Sequence, residues 1–404
     1  MSPRRRVAVF MGTRPEGIKL APVVAALREW ADIDCRVVAT GQHREMFRQV
    51  AEQFGFRVDA DLGVMRKNQT LAGLTARLMQ RIDVWLERER PDLALVQGDT
   101  TTVLVAALAC FYRRIPVGHV EAGLRTGDIA SPFPEEANRR LASPLVALNF
   151  APTESARTAL LKEGVARHSI HVTGNTVVDA LLLERRLQRQ PAVSARIDES
   201  LSALLDADWA RVPFVLVTGH RRENFGKGIR QICSAIATLA RRYPQHRFVY
   251  PVHLNPNVRP HVFRLLDGLP NVRLIAPQGY RNFVALMARC VLVLTDSGGV
   301  QEEAPTLGKP VLVMRDTTER PEGVLAGTAL LTGPSASRIV FHAKRLLDDP
   351  RAYRKMANAV NPYGDGRAAA RIVAHVRRHL GLAKGDVRRS SCGPCGTASL
   401  SRPA

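Results

Sequence analysis

No stretch of this sequence stays apolar long enough to cross a bilayer, which excludes a membrane-spanning helix. The basic start, Met1 to Arg6, runs into the short apolar segment Val7 to Met11, too brief for a signal-peptide core. A cytoplasmic protein with no membrane partner is expected. Aromatic residues make up only 5% of the chain, and no helix-turn-helix, zinc-finger or RNA-binding signature accompanies its formal net charge of +21. Nucleic acid is therefore not the expected partner. The excess is mostly arginine spread along the chain, and it reads as a basic surface with a cleft for a polyanionic small ligand. Cysteine is scarce. Cys35, Cys110, Cys233 and Cys290 lie in apolar segments and read as buried thiols, not as a disulfide framework. Cys392-Gly393-Pro394-Cys395 lies in a polar tail, without the βαβ setting of a redox pair or the second ligand pair of a zinc site. No metal-ligand cluster, Walker A loop or nucleophile elbow is present.

What remains is a long alternation of apolar runs and amphipathic stretches. At 404 residues and 46% hydrophobic content the chain suits two α/β domains. The stretch from Leu292 to Gly323 is the most informative. Val291 to Thr295 reads as a buried parallel strand, Asp296-Ser297-Gly298-Gly299 breaks it, and Val300 to Leu307 continues as a helix with Glu302 and Glu303 in its first turn. Such a turn offers free backbone N–H groups at the positive end of a helix, an arrangement that suits a phosphate. Val311 to Met314 is a second buried run, and it feeds a charged loop holding Arg320. An ordinary βαβ unit with a polar loop would look similar.

The first half repeats the pattern. Val7 to Met11 meets Gly12-Thr13-Arg14-Pro15-Glu16-Gly17 and then a helix from Ile18 to Trp30. Arg14 stands where a dinucleotide fingerprint needs its second glycine, which argues against a nicotinamide cofactor. Arg14 and Lys19 place two cations at the mouth of this turn, facing either a phosphate or a carboxylate. Asp59 to Thr75 reads as irregular and Ala76 to Arg90 as a helix. Asp99 or Thr100 can cap the helix that follows Leu93 to Gln97. Glu121 ends the strand Pro116 to Val120, and Glu135 lies in the first turn of a later helix. The α/β alternation is expected to bring Asp99, Glu121 and Glu135 to one sheet edge. In the second half the strand Pro213 to Thr218 ends in Gly219-His220-Arg221-Arg222, where flanking arginines should keep His220 neutral and able to donate to an oxygen. His253 occupies a similar position. The expected organisation is a Rossmann-like domain over 1–178, a second over 179–365, a helix over 366–384 packing back on the first domain, and a disordered tail over 385–404. Two such halves facing one cleft, one offering carboxylates and the other an anion cradle, point to a nucleotide diphosphate with a polar attachment.

The runs GTRPEGIKLAPV, TGQHREM, GDTTTVLVAAL, IPVGHVEAGLRTGD, PFPEEANRRL, TGNTVVDAL, VTGHRRENFGKG, YPVHLNPNVRP, TDSGGVQEEAPTLGKPVLVMRDTTERPEG and NPYGDGRA resemble the bacterial non-hydrolysing UDP-N-acetylglucosamine 2-epimerases from about Val7 to Leu380. The resemblance implies a glycosyltransferase-B-like fold and interconversion of UDP-N-acetylglucosamine and UDP-N-acetylmannosamine for surface polysaccharide. It implies no NAD and no metal. UDP would be eliminated to a 2-acetamidoglucal and added back. Carried onto matching positions, it makes Asp99, Glu121 and Glu135 catalytic acids assisted by His220. It places Arg14, Lys19, Gln278, Phe283, Ser297, Gly298, Gly299, Glu303 and Arg320 on the substrate. It also implies a homodimer, and allosteric activation by a second UDP-N-acetylglucosamine through Gln42, Glu136, Arg221 and His253. Gly17 and Phe133 replace the commoner alanine and tryptophan, and the tail after Leu380 has no family counterpart. Two rival readings keep the fold: a 2-epimerase of a UDP-2,3-diacetamido sugar acid, and a UDP-sugar glycosyltransferase.

Overall fold

The computed structural model describes residues 4–41, 44–66 and 68–382. Gln42 and the tail with Cys392 and Cys395 lie outside the described residues.

Seven parallel strands form the first sheet: β1 (Arg5–Met11), β2 (Ile33–Ala39), β3 (Ala60–Asp61), β4 (Leu93–Gln97), β5 (Val117–Val120), β6 (Leu148–Ala151) and β7 (Ile170–Val172). Their spatial order is β3-β2-β1-β4-β5-β6-β7. Six parallel strands form the second: β8 (Phe214–Thr218), β9 (Arg247–Pro251), β10 (Val272–Ile275), β11 (Leu292–Thr295), β12 (Val311–Val313) and β13 (Ala329–Leu331), ordered β10-β9-β8-β11-β12-β13. Each sheet is buried on both faces. Val7, Val9 and Met11 point into one apolar layer of the first sheet, Ala8 and Phe10 into the other. Val215 and Val217 do the same against Phe214 and Leu216 in the second. Strands covered on both sides need continuous apolar runs, and this is why β1, β4, β8 and β11 read so plainly.

In both sheets the strand order reverses beside the first strand of the series, between β1 and β4 and between β8 and β11. Crevices form at such reversals, beyond the strands' carboxyl ends. The turns at Gly12, Gly98, Gly219 and Asp296 follow those four strands.

The chain passes between the halves twice. The outward crossing leaves β7 through Gly174-Asn175 into the helices Thr176–Leu187 and Pro191–Leu205. The return crossing runs from Asn361 to Gly366 into the helix Ala368–His379. The two crossings touch, for the Asn175 N–H donates to the Tyr363 carbonyl at 2.7 Å. The returning helix buries Ala369, Ile372, Val373 and Val376 in the core of the first sheet, beside Val23, Val24 and Leu27.

Two local expectations are corrected. Asp59 to Thr75 is not wholly irregular. It contains β3, and its last residues open the helix Leu71–Glu89, where the Thr70 hydroxyl caps by accepting from Gly73 N at 3.1 Å. The phosphate-type turn is tighter than expected, because the helix already begins at Gly298 and ends at Glu303, and a 3-10 turn spans Ala304–Leu307. The four described cysteines are free and buried, and burial pushes each thiol up to about 12. No described helix is long and apolar enough to cross a membrane.

Candidate active site

The cleft between the halves holds two cavities that share Arg14, Pro15 and Lys19. One, of 500 Å³, is walled by the first sheet's turns and includes Asp99, Glu121 and Arg320. The other, of 330 Å³, lies over the second sheet and includes His220, Gln278, Phe283, Ser297, Gly299 and Glu303. Gly298 lies between Ser297 and Gly299 in the turn, against the guanidinium of Arg221.

Glu121 is the best-held carboxylate of the first cavity. It follows β5 with φ of +65°, a left-handed conformation that costs a non-glycine residue about 1–2 kcal/mol. Lys19 Nζ donates to both of its oxygens, at 2.7 and 2.6 Å. The Gln97 amide also donates to it, and Asn175 Nδ2 reaches it at 3.2 Å. Thus Lys19 faces a carboxylate, one of the two alternatives its position allowed. The same Asn175 nitrogen lies 3.2 Å from an oxygen of Glu302, which ion-pairs with Arg320. Arg320 Nη2 is also 3.9 Å from Glu121. Two carboxylates and two cations, drawn from both halves, therefore form one buried network.

The electrostatics within this network are uneven. Burial alone would raise Glu121, but the Lys19 ammonium and Arg320 guanidinium outweigh it and hold the carboxyl below its usual range. For Glu302 burial wins, and its pKa is raised. Burial works against the charged Lys19, yet Glu121 and Glu302 together keep its pKa raised.

Asp99 occupies the turn after β4, with its carboxylate gripped by Arg139 at 2.5 and 3.0 Å. The capping expectation fails here. Thr100 occupies the cap position without a side-chain cap bond, because its hydroxyl donates instead to Glu16 at 2.7 Å. Glu16 also accepts from Gly12 N at 2.9 Å, so one buried carboxylate ties the turns after β1 and β4 together. Glu135 stands half-buried in the first turn of the helix Glu135–Ala142 and lines neither cavity. Two of the three acids meet at one cavity. Glu135 lines neither, although Asn138 and Arg139 of its own helix hydrogen-bond to Asp99.

His220 stacks on His253, with ring centroids 5.2 Å apart and planes at 16°. Asp296, wholly buried, accepts from the backbone N–H of His220 and of Arg221, both at 2.9 Å. The pKa of His220 is lowered, as expected, but the leading cause is burial; Arg221 is a lesser one and Asp296 opposes both. Glu303 accepts from the Tyr280 hydroxyl at 2.8 Å, and burial raises its carboxyl to about 7. Glu136 is fully buried and pairs with Arg139 at 2.9 Å, yet its Oε1 has no hydrogen-bond partner, and neither does Arg221 Nε. Among the described residues no group of three His, Cys, Asp or Glu side chains is arranged to hold a metal ion.

The two-sheet architecture has known counterparts. The family model described as UDP-N-acetylglucosamine 2-epimerase matches residues 25–377. The chain belongs to that family. It is 53% identical over 375 residues to the UDP-N-acetylglucosamine 2-epimerase of Yersinia pestis, an alignment covering 93% of this chain and 99% of that protein. The Escherichia coli K12 enzyme of the same name is 51% identical over 377 residues, with 93% and 99% covered. Among solved structures, the UDP-GlcNAc 2-epimerase of Neisseria meningitidis bound to UDP-GlcNAc superposes with a TM-score of 0.85 at 47% identity, covering 92% of this chain and all of that one. The Methanocaldococcus jannaschii enzyme in complex with UDP-GlcNAc and UDP gives 0.75 at 33% identity, with 92% and 99% covered. The glycosyltransferase-B-like architecture of two Rossmann-like halves is thus that of the epimerase family.

Several residues that hold this epimerase-family site together were not singled out in the sequence. Asn175 lies in TGNTVVDAL, Gln97 ends β4, Glu16 lies in the first glycine turn, and Glu302 was read only as a first-turn acid. The one available signal was that Glu16, Asn175 and Glu302 sit within long motifs and Gln97 directly precedes one.

Proposed function

We propose that the protein inverts C2 of UDP-N-acetylglucosamine to give UDP-N-acetylmannosamine, reversibly and without a nicotinamide or a metal. One observation carries this reading. The cavity over the phosphate-type turn adjoins, at Arg14 and Lys19, the cavity walled by Asp99 and Glu121. Uracil would lie against Gln278 and Phe283, ribose on Glu303, and the diphosphate over Ser297, Gly298 and Gly299 beside His220. The sugar would then face Asp99, Glu121 and Arg320.

In that pose a carboxylate removes the C2 proton. The C2–H electron pair becomes the C1=C2 double bond, and the C1–O pair leaves with UDP. The intermediate is a 2-acetamidoglucal. A second acid protonates C2 from the opposite face as the UDP oxygen adds back to C1. Two faces require two acid/base groups whose protonation states match the step. Asp99, Glu121 and Glu135 are the candidates, and Glu135 takes part only when its helix closes toward Asp99. Lys19 regulates Glu121. When the diphosphate draws the ammonium away, Glu121 loses its nearest counter-charge and becomes a stronger base. Arg320 and the turn's N–H groups stabilise the negative charge that develops on UDP.

Incubation in deuterium oxide without an acceptor tests the reading. Deuterium should enter C2 of both sugar nucleotides, as seen by mass spectrometry. Epimerisation without exchange would overturn the elimination route, and sugar transfer without epimerisation would favour a glycosyltransferase. The reading extends to a cytoplasmic homodimer that supplies surface polysaccharide synthesis and is activated by a second UDP-N-acetylglucosamine. The buried and unpartnered Glu136 Oε1 and Arg221 Nε are polar groups left for such an activator to satisfy.

A further inference from the structure

A cavity of 1030 Å³, larger than either cavity of the cleft, opens at the other edge of the first sheet. It lies at the amino ends of β6 and β7, against the last turn of the helix Ala368–His379. We infer that it binds a phosphorylated small molecule, of nucleotide size, separate from the substrate.

The first argument is charge. Arg140, Lys162 and Arg378 line the cavity as full cations, and His168, His171, His375 and His379 add four imidazoles. The lining has a single carboxylate, Glu163, and it is already committed. Arg125 grips both its oxygens, at 2.8 and 2.7 Å, and Arg140 approaches at 3.6 Å. Among the described residues neither Lys162 nor Arg378 pairs with a carboxylate, and Arg378 reaches only a ring nitrogen of His375, at 3.5 Å. A concave surface of this kind concentrates positive potential, with one lining carboxylate, shared with Arg125, to set against it.

The second argument is the histidine stack. The rings of His171 and His375 lie 3.9 Å apart at 25°, above Phe150. Two imidazolium ions at that spacing repel each other, and an anion beside them would offset the repulsion. Burial, His375, Arg378 and His168 push His171 down to about 4, and burial and Arg378 lower His375. Both shifts favour the neutral rings, and a bound oxyanion would supply the missing counter-charge. The volume exceeds that of a bare phosphate and leaves room for a base or sugar. The chain's own tail is a poor occupant, since residues 383–404 carry Lys384, Arg388, Arg389 and Arg402 against Asp386.

The test uses the full-length protein with 13C-labelled histidine, titrated with inorganic pyrophosphate and followed by NMR. His171 and His375 report on this cavity, while His220 and His253 report separately on the cleft. The His171 and His375 signals should shift saturably. The paired substitution K162A/R378A should weaken that response about tenfold or more, since charge-assisted contacts are lost. It should leave the His220 response and turnover unchanged, both side chains being exposed and outside the cleft. Affinity should rise from pH 8 to pH 6, as binding draws protons onto His171 and His375 in the field of Arg140, Lys162, Glu163, His168, Arg378 and His379. The inference is overturned if His171 and His375 stay still while His220 saturates. It is also overturned if their shifts survive the paired substitution.

Discussion

Glu121 and Glu302 are both buried carboxylates linked to the same two cations and the same asparagine, yet they titrate on opposite sides of the ordinary range. The difference follows from distance. Lys19 is within hydrogen-bonding range of Glu121, whereas Glu302 relies on Arg320 and feels Glu121 as a like charge. Glu121→Gln should retain UDP binding in calorimetry and lower kcat by roughly 10²- to 10⁴-fold; a full rate would remove Glu121 from the catalytic set. Glu302→Gln deletes a negative charge beside the network, so Glu121 should titrate lower still. The acidic limb of the kcat–pH profile should then move to lower pH, with kcat reduced, which a purely structural residue would not do. Glu303 gives a pH-dependent stability. Its folded-state pKa, raised to about 7, exceeds its unfolded value, so the folded protein holds the extra proton and loses stability as pH rises from the ordinary carboxylate range through 7. Glu303→Gln should therefore gain roughly 1–3 kcal/mol at pH 8 in urea unfolding, while KM for the nucleotide sugar rises. None of these contrasts was legible in the sequence. Glu302 and Glu303 are adjacent acids of one short helix, and only the fold gives one an arginine and the other a tyrosine.

The elements themselves were legible wherever burial on two faces demands an unbroken apolar run, as in β1, β4, β8 and β11. Short edge strands were not, since β3 is the dipeptide Ala60–Asp61 and carries no period to read. The cap before Thr101 was misread because Asp99 and Thr100 are both ordinary capping residues, and the partners that claim them, Arg139 and Glu16, are distant in sequence. The turn after β5 is the most constrained. Gly123 has φ of +90°, and an added Cβ would run into the Ala156 carbonyl, coming 2.9 Å from its carbon. Gly123→Ala should cost about 3 kcal/mol or more, through a strained φ and a backbone clash together. The check is the urea midpoint, with a companion loss of turnover because the same turn holds Glu121 at φ +65°.

For the molecule as a whole, the last helix belongs to the core of the half that the chain laid down first. Removing it by truncation after Arg367 would uncover the layer that Ile372, Val373 and Val376 close. At about 1.5–3 kcal/mol for each large apolar side chain, that loss rivals the roughly 5–15 kcal/mol by which a domain is stable. The truncated protein should be insoluble, or should melt far below the intact one in calorimetry. The alternation of strands and helices announced two sheets facing a cleft, but which side chains span it depends on the seating of one half against the other, and no local pattern encodes that. The seating has a further consequence. Gly174 and Gly364 meet where the two passes of the chain touch, and Asn175, the next residue, holds Glu121 and Glu302 together. One residue therefore ties backbone to backbone across the two passes and carboxylate to carboxylate across the two halves, so the joint of the molecule and the grip on its acids are a single piece of chain.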